Sequence, residues 1–145
     1  MKTPQTLAKQ LYDKFQLKAL EPVAKHACCA FTLMWCCGYD KSDVDAIAEV
    51  LDMIKHKAIS KDCLVYWYQA YKFITGKELK NVQFVTVKNT NDLKKYDGKR
   101  IAVKFEYGKK AHWVGYFNGI IKFNSLDYSE CVEKGKITEA RILEV

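Results

Sequence analysis

Apolar residues recur at helical spacing through the first half of the chain and alternate with polar ones in the second. Leu7, Leu11 and Phe15 stand four residues apart with Ala8 and Tyr12 beside them, which predicts a helix with one buried face. Thr3 is placed to cap that helix and Pro4 to open it, and the pattern runs to about Leu17. Around Glu21-Pro22 the chain turns. The stretch Ala27 to Cys37 then carries a single polar side chain, Thr32, and no charge, and it ends at Gly38, a residue suited to a left-handed cap. A helix that is apolar all round belongs at the centre of a core. A third helix opens at Ser42, with Asp45 three residues on as its capping partner, and sets Val44, Ile47, Leu51 and Ile54 on one face. A fourth is expected from Ser60 through Leu64, Trp67, Tyr71 and Ile74 to Gly76.

Beyond that glycine the period changes to two. Val82–Val87, Ile101–Tyr107, Ala111–Phe117 and Gly119–Phe123 read as strands, with a short helix over Asn89–Lys95 and a last strand over Ala140–Leu143. Gly108 with Lys109-Lys110 marks one hairpin, and Asn118-Gly119 marks a two-residue turn. Helices first and antiparallel strands second predict one α+β domain over residues 1–145. Its helical half covers about 1–76 and its sheet about 80–145, with the apolar helix packed on the sheet.

Composition narrows the function classes more than it names one. The chain is 49% hydrophobic and 28% charged, as a folded protein is, and its net charge of +7 is scattered lysine with no basic block. That disfavours nucleic acid as a partner. Six cysteines could make three disulfides, but four of them are adjacent pairs in one helix, Cys28-Cys29 and Cys36-Cys37, which cannot cross-link neighbours. With no signal-peptide core at the N-terminus, reduced thiols in a cytoplasmic protein are the expectation. The apolar run is too short to span a bilayer, so no membrane segment is expected. Oligomeric state leaves no trace in the pattern.

The same cysteines test badly as metal ligands. Cys29 and Cys36 share a helix face but stand about 10 Å apart along it, whereas sulfurs on one zinc lie roughly 3.7 Å apart. No metal and no cofactor is expected. Cys28 stands out because it opens the apolar helix, where free amides and the helix dipole favour a thiolate. Cys29, one residue on, is the alternative nucleophile. His112 shares a strand face with Val114 and Tyr116, while His26 is too close in sequence to Cys28 to be preorganised against it. The Asn118-Gly119 hairpin carries Asn124 back beside His112, with Ser125 and Asp127 close behind. A thiol, an imidazole and a side chain that orients the imidazole are the parts of a nucleophilic cysteine site.

A cysteine opening an apolar helix, further helices, then a sheet with His112-Trp113-Val114-Gly115-Tyr116 and an Asn soon after resembles the papain-like cysteine peptidases. The chain looks most like the branch containing bacteriocin leader peptidases and small phage and bacterial proteins of that fold. That branch reads Cys-x-x-x-small-Leu-x-Met; here Cys28 is followed by Thr32, Leu33 and, where Met is usual, Trp35. The resemblance implies Cys28 as nucleophile, His112 as general base and Asn124 as orienting group, acting on a peptide or isopeptide bond of a peptide or protein partner. The family also places an oxyanion-stabilising Gln about six residues before the cysteine. Pro22 stands there, between Glu21 and Val23, and Gln16 is too far upstream. Loss of one such donor lowers rates about 10²–10³-fold, so the resemblance equally allows an inactive peptidase fold that serves as a binding or inhibitor module.

Overall fold

Pro4–Phe15 forms the first helix, α1, in a computed structural model that describes all 145 residues. A 3-10 turn over Lys18–Leu20 leads into α2 (Glu21–His26), where Pro22 sits in the first turn, the position a proline tolerates. Only Ala27 separates α2 from α3 (Cys28–Cys36), so the turn expected at Glu21-Pro22 is itself a helix that runs into the next. Ala30, Phe31, Thr32, Leu33 and Met34 are fully buried along α3, which makes it the central helix its sequence calls for. The apolar run extends to Cys37, but Cys36 and Cys37 are only half-buried because α3 emerges from the core at that end. No helix is long and apolar enough to cross a membrane.

Helix α4 (Asp43–Lys55) starts where its capping residues predict: Ser42 Oγ accepts the Asp45 N–H at 3.1 Å. Helix α5 (Trp67–Thr75) starts seven residues later than the periodicity suggests. The reason is local. Ser60 Oγ accepts the N–H groups of Asp62 (3.2 Å) and Leu64 (3.0 Å), Cys63 turns with a φ of 64°, and Ile59 bridges to Val65. A serine hydroxyl offered to nearby amides draws the backbone away from the helix.

The strands are β1 (Asn81–Thr86), β2 (Ile101–Tyr107), β3 (Lys110–Phe117), β4 (Ile120–Phe123) and β5 (Lys136–Glu144). All pairings are antiparallel, in the order β1-β5-β2-β3-β4. The last strand is longer than its apolar centre indicates and inserts between β1 and β2. A short helix, α6 (Glu130–Lys134), precedes it, unheralded by any period. Asn118 and Gly119 both take positive φ, 51° and 80°, as a two-residue hairpin turn requires.

Helix α3 lies on one face of the sheet. Gly115 makes this possible, since a Cβ there would stand 2.4 Å from Trp35 Cε3. The Trp35 ring stacks at 6.2 Å on Phe123 under the Arg100 guanidinium, and Arg100 Nη1 donates to Trp35 O at 2.7 Å, a cation on the carbonyls at the C-terminal end of α3. Val103, Val114, Ile137 and Ile142 form a second core on the opposite face, closed by Val87 and Leu93.

Candidate active site

Strand β4 leaves β3 at the Gly115–Phe123 pair, so Ala111 to Val114 have no strand on that side. Helix α3 takes the vacant edge. Cys28 and Thr32 lie one turn apart and both reach Trp113: the Thr32 hydroxyl, 2.7 Å from Cys28 O, is 3.3 Å from Trp113 O, and the Trp113 amide hydrogen points to the Cys28 sulfur. The thiol is therefore held against the peptide unit next to His112.

His112 is buried, and its Nε2 lies 2.7 Å from Asn124 Oδ1. Leu126 N–H meets the same atom at 3.0 Å and can only donate, so the atom is the amide oxygen and Nε2 carries the hydrogen. Nδ1 is left with a free lone pair. The loop holding Asn124 is fixed in turn by the start of α1, where first-turn amides lack helical partners. Gln5 N and Thr6 N both donate to Ser125 O, at 2.9 and 3.2 Å, while Ser125 Oγ donates to Gln5 Oε1 at 2.7 Å. Gln5 Nε2 donates to Ala24 O at 3.0 Å, which ties the same side chain to the helix leading into Cys28.

Cys28 and His112 line one cavity of about 700 Å³ together with Gln5 and Cys131, under a rim that includes Lys9, Asp13, Lys25 and Glu130. Cys29 does not line it; it faces a neighbouring pocket from which His112 is absent. His26 sits exposed at the cavity mouth, and His56 is exposed at the far end of α4. All six cysteines are free, and no three His, Cys, Asp or Glu side chains stand close enough to share a metal ion.

One sequence expectation is overturned here. Burial pushes the Cys28 thiol above its ordinary value, with the Trp113 amide opposing, and burial pushes Cys29 higher still. The helix-start argument for a thiolate fails on balance: the Cys28 and Cys29 amides at the start of α3 do favour the thiolate, but desolvation of the buried sulfur outweighs them. His112 is shifted downward, mainly by burial, against the Asn124 hydrogen bond. Burial thus favours the thiol and the neutral imidazole over the charged forms.

Comparison of the chain with protein-family models, with curated proteins and with solved structures finds no match.

Gln5 carried no signal in the sequence, since its partners lie 19 and 120 residues away. Gln16 is an exposed left-handed cap of α1 bonded to its own helix, and Pro22 contributes only its carbonyl, to the Cys63 thiol. The glutamine on the cavity wall comes instead from α1. Replacing it by alanine strands Ser125 Oγ and Ala24 O in the interior, and Gln5→Ala is expected to destabilise the fold by about 1–3 kcal/mol in urea unfolding. Retention of wild-type stability would show that water replaces the amide.

Proposed function

We propose that the chain is a papain-like cysteine hydrolase that cleaves a peptide or isopeptide bond through a thioester on Cys28, with no cofactor, in a reducing cytoplasmic setting. The observation that carries this reading is the shared cavity, lined both by Cys28 and by an imidazole with one nitrogen committed to Asn124. Nδ1 of His112 takes the thiol proton as Sγ attacks the carbonyl carbon, and returns it to the leaving amine as the C–N bond breaks. Water, deprotonated by the same nitrogen, then hydrolyses the thioester. Gln5, which uses one amide hydrogen on Ala24 O, has a second for the oxyanion.

The test is turnover of a library of peptidyl aminomethylcoumarin amides together with intact-mass detection of an acyl adduct. Cys28→Ala is expected to abolish both, and Cys29→Ala to leave both standing. Loss on Cys29→Ala with activity kept in Cys28→Ala would move the nucleophile. The upward-shifted thiol gives weight to a second reading, a peptidase fold that has kept its cavity to bind a protein partner. That reading requires no turnover of any amide, and alkylation of Cys28 by iodoacetamide no faster than that of the half-buried Cys36.

A further inference from the structure

A second pocket, of about 370 Å³, adjoins the cavity and shares Lys25, His26, Cys28 and Ala111 with it. Cys28 thus sits at the junction of two spaces, and only one contains His112. In amide cleavage the leaving nitrogen must receive its proton from the imidazole, so the leaving side of the substrate occupies the His112 cavity. The acyl side, joined to Sγ in the thioester, is directed into the other space.

The walls of that second space are mostly apolar, interrupted by Lys25, His26, Asp62 and Arg141. Leu64 and Val65 come from the loop created by Ser60, Trp67 opens α5, and Trp113 rises from β3, with the two indoles edge to face at 6.2 Å. Leu64 is 65% exposed. The cations beside Trp113 are largely engaged, with the buried Arg141 Nε alone left without a partner. Arg141 donates to Glu139 Oε1 at 3.0 Å and lies flat on Phe84 at 3.9 Å, and Lys104 bridges Glu139 and Glu106. An acidic side chain would gain little there. An aromatic or branched one would bury its surface against two indoles and Leu64.

We propose that the pocket walled by Leu64, Trp67 and Trp113 is the acyl-side subsite of Cys28 and selects substrates with a large apolar or aromatic residue beside the bond that is cut. The proposal rests on Cys28 as the nucleophile. The loop held by Ser60 puts Leu64 and Val65 on the wall of the pocket that Cys28 also lines, instead of along a helix.

The test uses N-acetylated phenylalanyl, glycyl and aspartyl chloromethyl ketones, which alkylate a thiolate with loss of chloride, and follows Cys28 by intact mass and peptide mapping. The phenylalanyl probe is expected to label Cys28 at least about tenfold faster than the glycyl one, the discrimination an apolar pocket gives, with the aspartyl probe slowest. Leu64→Asp is expected to bring the phenylalanyl and glycyl rates within about threefold of each other, and Leu64→Phe to preserve the preference. Equal phenylalanyl and glycyl rates in the native protein, or a preference indifferent to Leu64→Asp, would overturn the subsite. Hydrolysis of the amide library decides separately whether the chain is a hydrolase: a phenylalanyl preference without turnover keeps the subsite and removes the enzyme, and turnover without preference does the reverse.

Discussion

His112→Ala is expected to lower Cys28-dependent turnover by about 10²–10⁴-fold, the range a positioned general base supplies, while leaving the fold intact enough to bind. Burial disfavours the Cys28 thiolate, so the reaction depends on a base to take the thiol proton. Asn124 acts one step removed. Asn124→Ala frees Nε2 and leaves the Leu126 amide without its acceptor, so both rate and stability should fall. Asn124→Asp separates orientation from charge. It keeps an oxygen for Nε2–H and adds a carboxylate that favours the imidazolium, so the His112 pKa should rise. In the native protein burial holds that pKa below its ordinary value, and the acidic limb of kcat/KM should lie below about pH 6.5. In Asn124→Asp the limb should move to higher pH. An unmoved limb would mean that His112 is not the base, and unchanged turnover in His112→Ala would remove the mechanism altogether.

The sequence reveals those parts of the fold and site that depend on short-range pattern. An unbroken apolar run marks α3, Ser42 and Asp45 mark the start of α4, and Asn118-Gly119 sets the hairpin that brings Asn124 to His112. What it hides depends on distant partners. Nothing near Gln5 says that Ser125 closes the first turn of α1, and nothing near Ala140 says that the last strand enters the middle of the sheet. The Cys28 environment is hidden for the same reason. A helix start favours a thiolate only when its amides outweigh the desolvation of the sulfur, and what covers the sulfur comes from distant segments. A serine that competes for backbone amides is equally ambiguous in sequence: Ser42 caps a helix, whereas Ser60 holds a loop together.

Raising the pH from 7.5 to 10 is expected to destabilise the protein by about 4 kcal/mol or more through its thiols alone. Burial pushes Cys37 and Cys63 each up to about 12, and shifts Cys28, Cys29 and Cys36 in the same direction. In the unfolded chain a thiol loses its proton near roughly pH 8.5. Above that pH the folded state binds more protons than the unfolded one, and each such thiol lowers stability by about 1.4 kcal/mol per pH unit until its folded pKa is reached. At pH 10 that is about 2 kcal/mol each for Cys37 and Cys63, against a total stability of about 5–15 kcal/mol for an ordinary domain. His112 acts with the opposite sign at the other end. Its folded pKa is depressed, so its contribution is present above the unfolded value and is lost as pH falls below about 6.5. Stability should therefore be greatest between these limits. Urea unfolding under reducing conditions at pH 7.5 and 10 measures the alkaline loss. A Cys37→Ala, Cys63→Ala double variant should shrink the loss by about 4 kcal/mol, since any cavity left by the substitutions affects both pH values alike. If the double variant loses as much stability at pH 10 as the native protein, water reaches those two thiols in the folded chain, Cys63 beneath α2 and Cys37 at the end of α3.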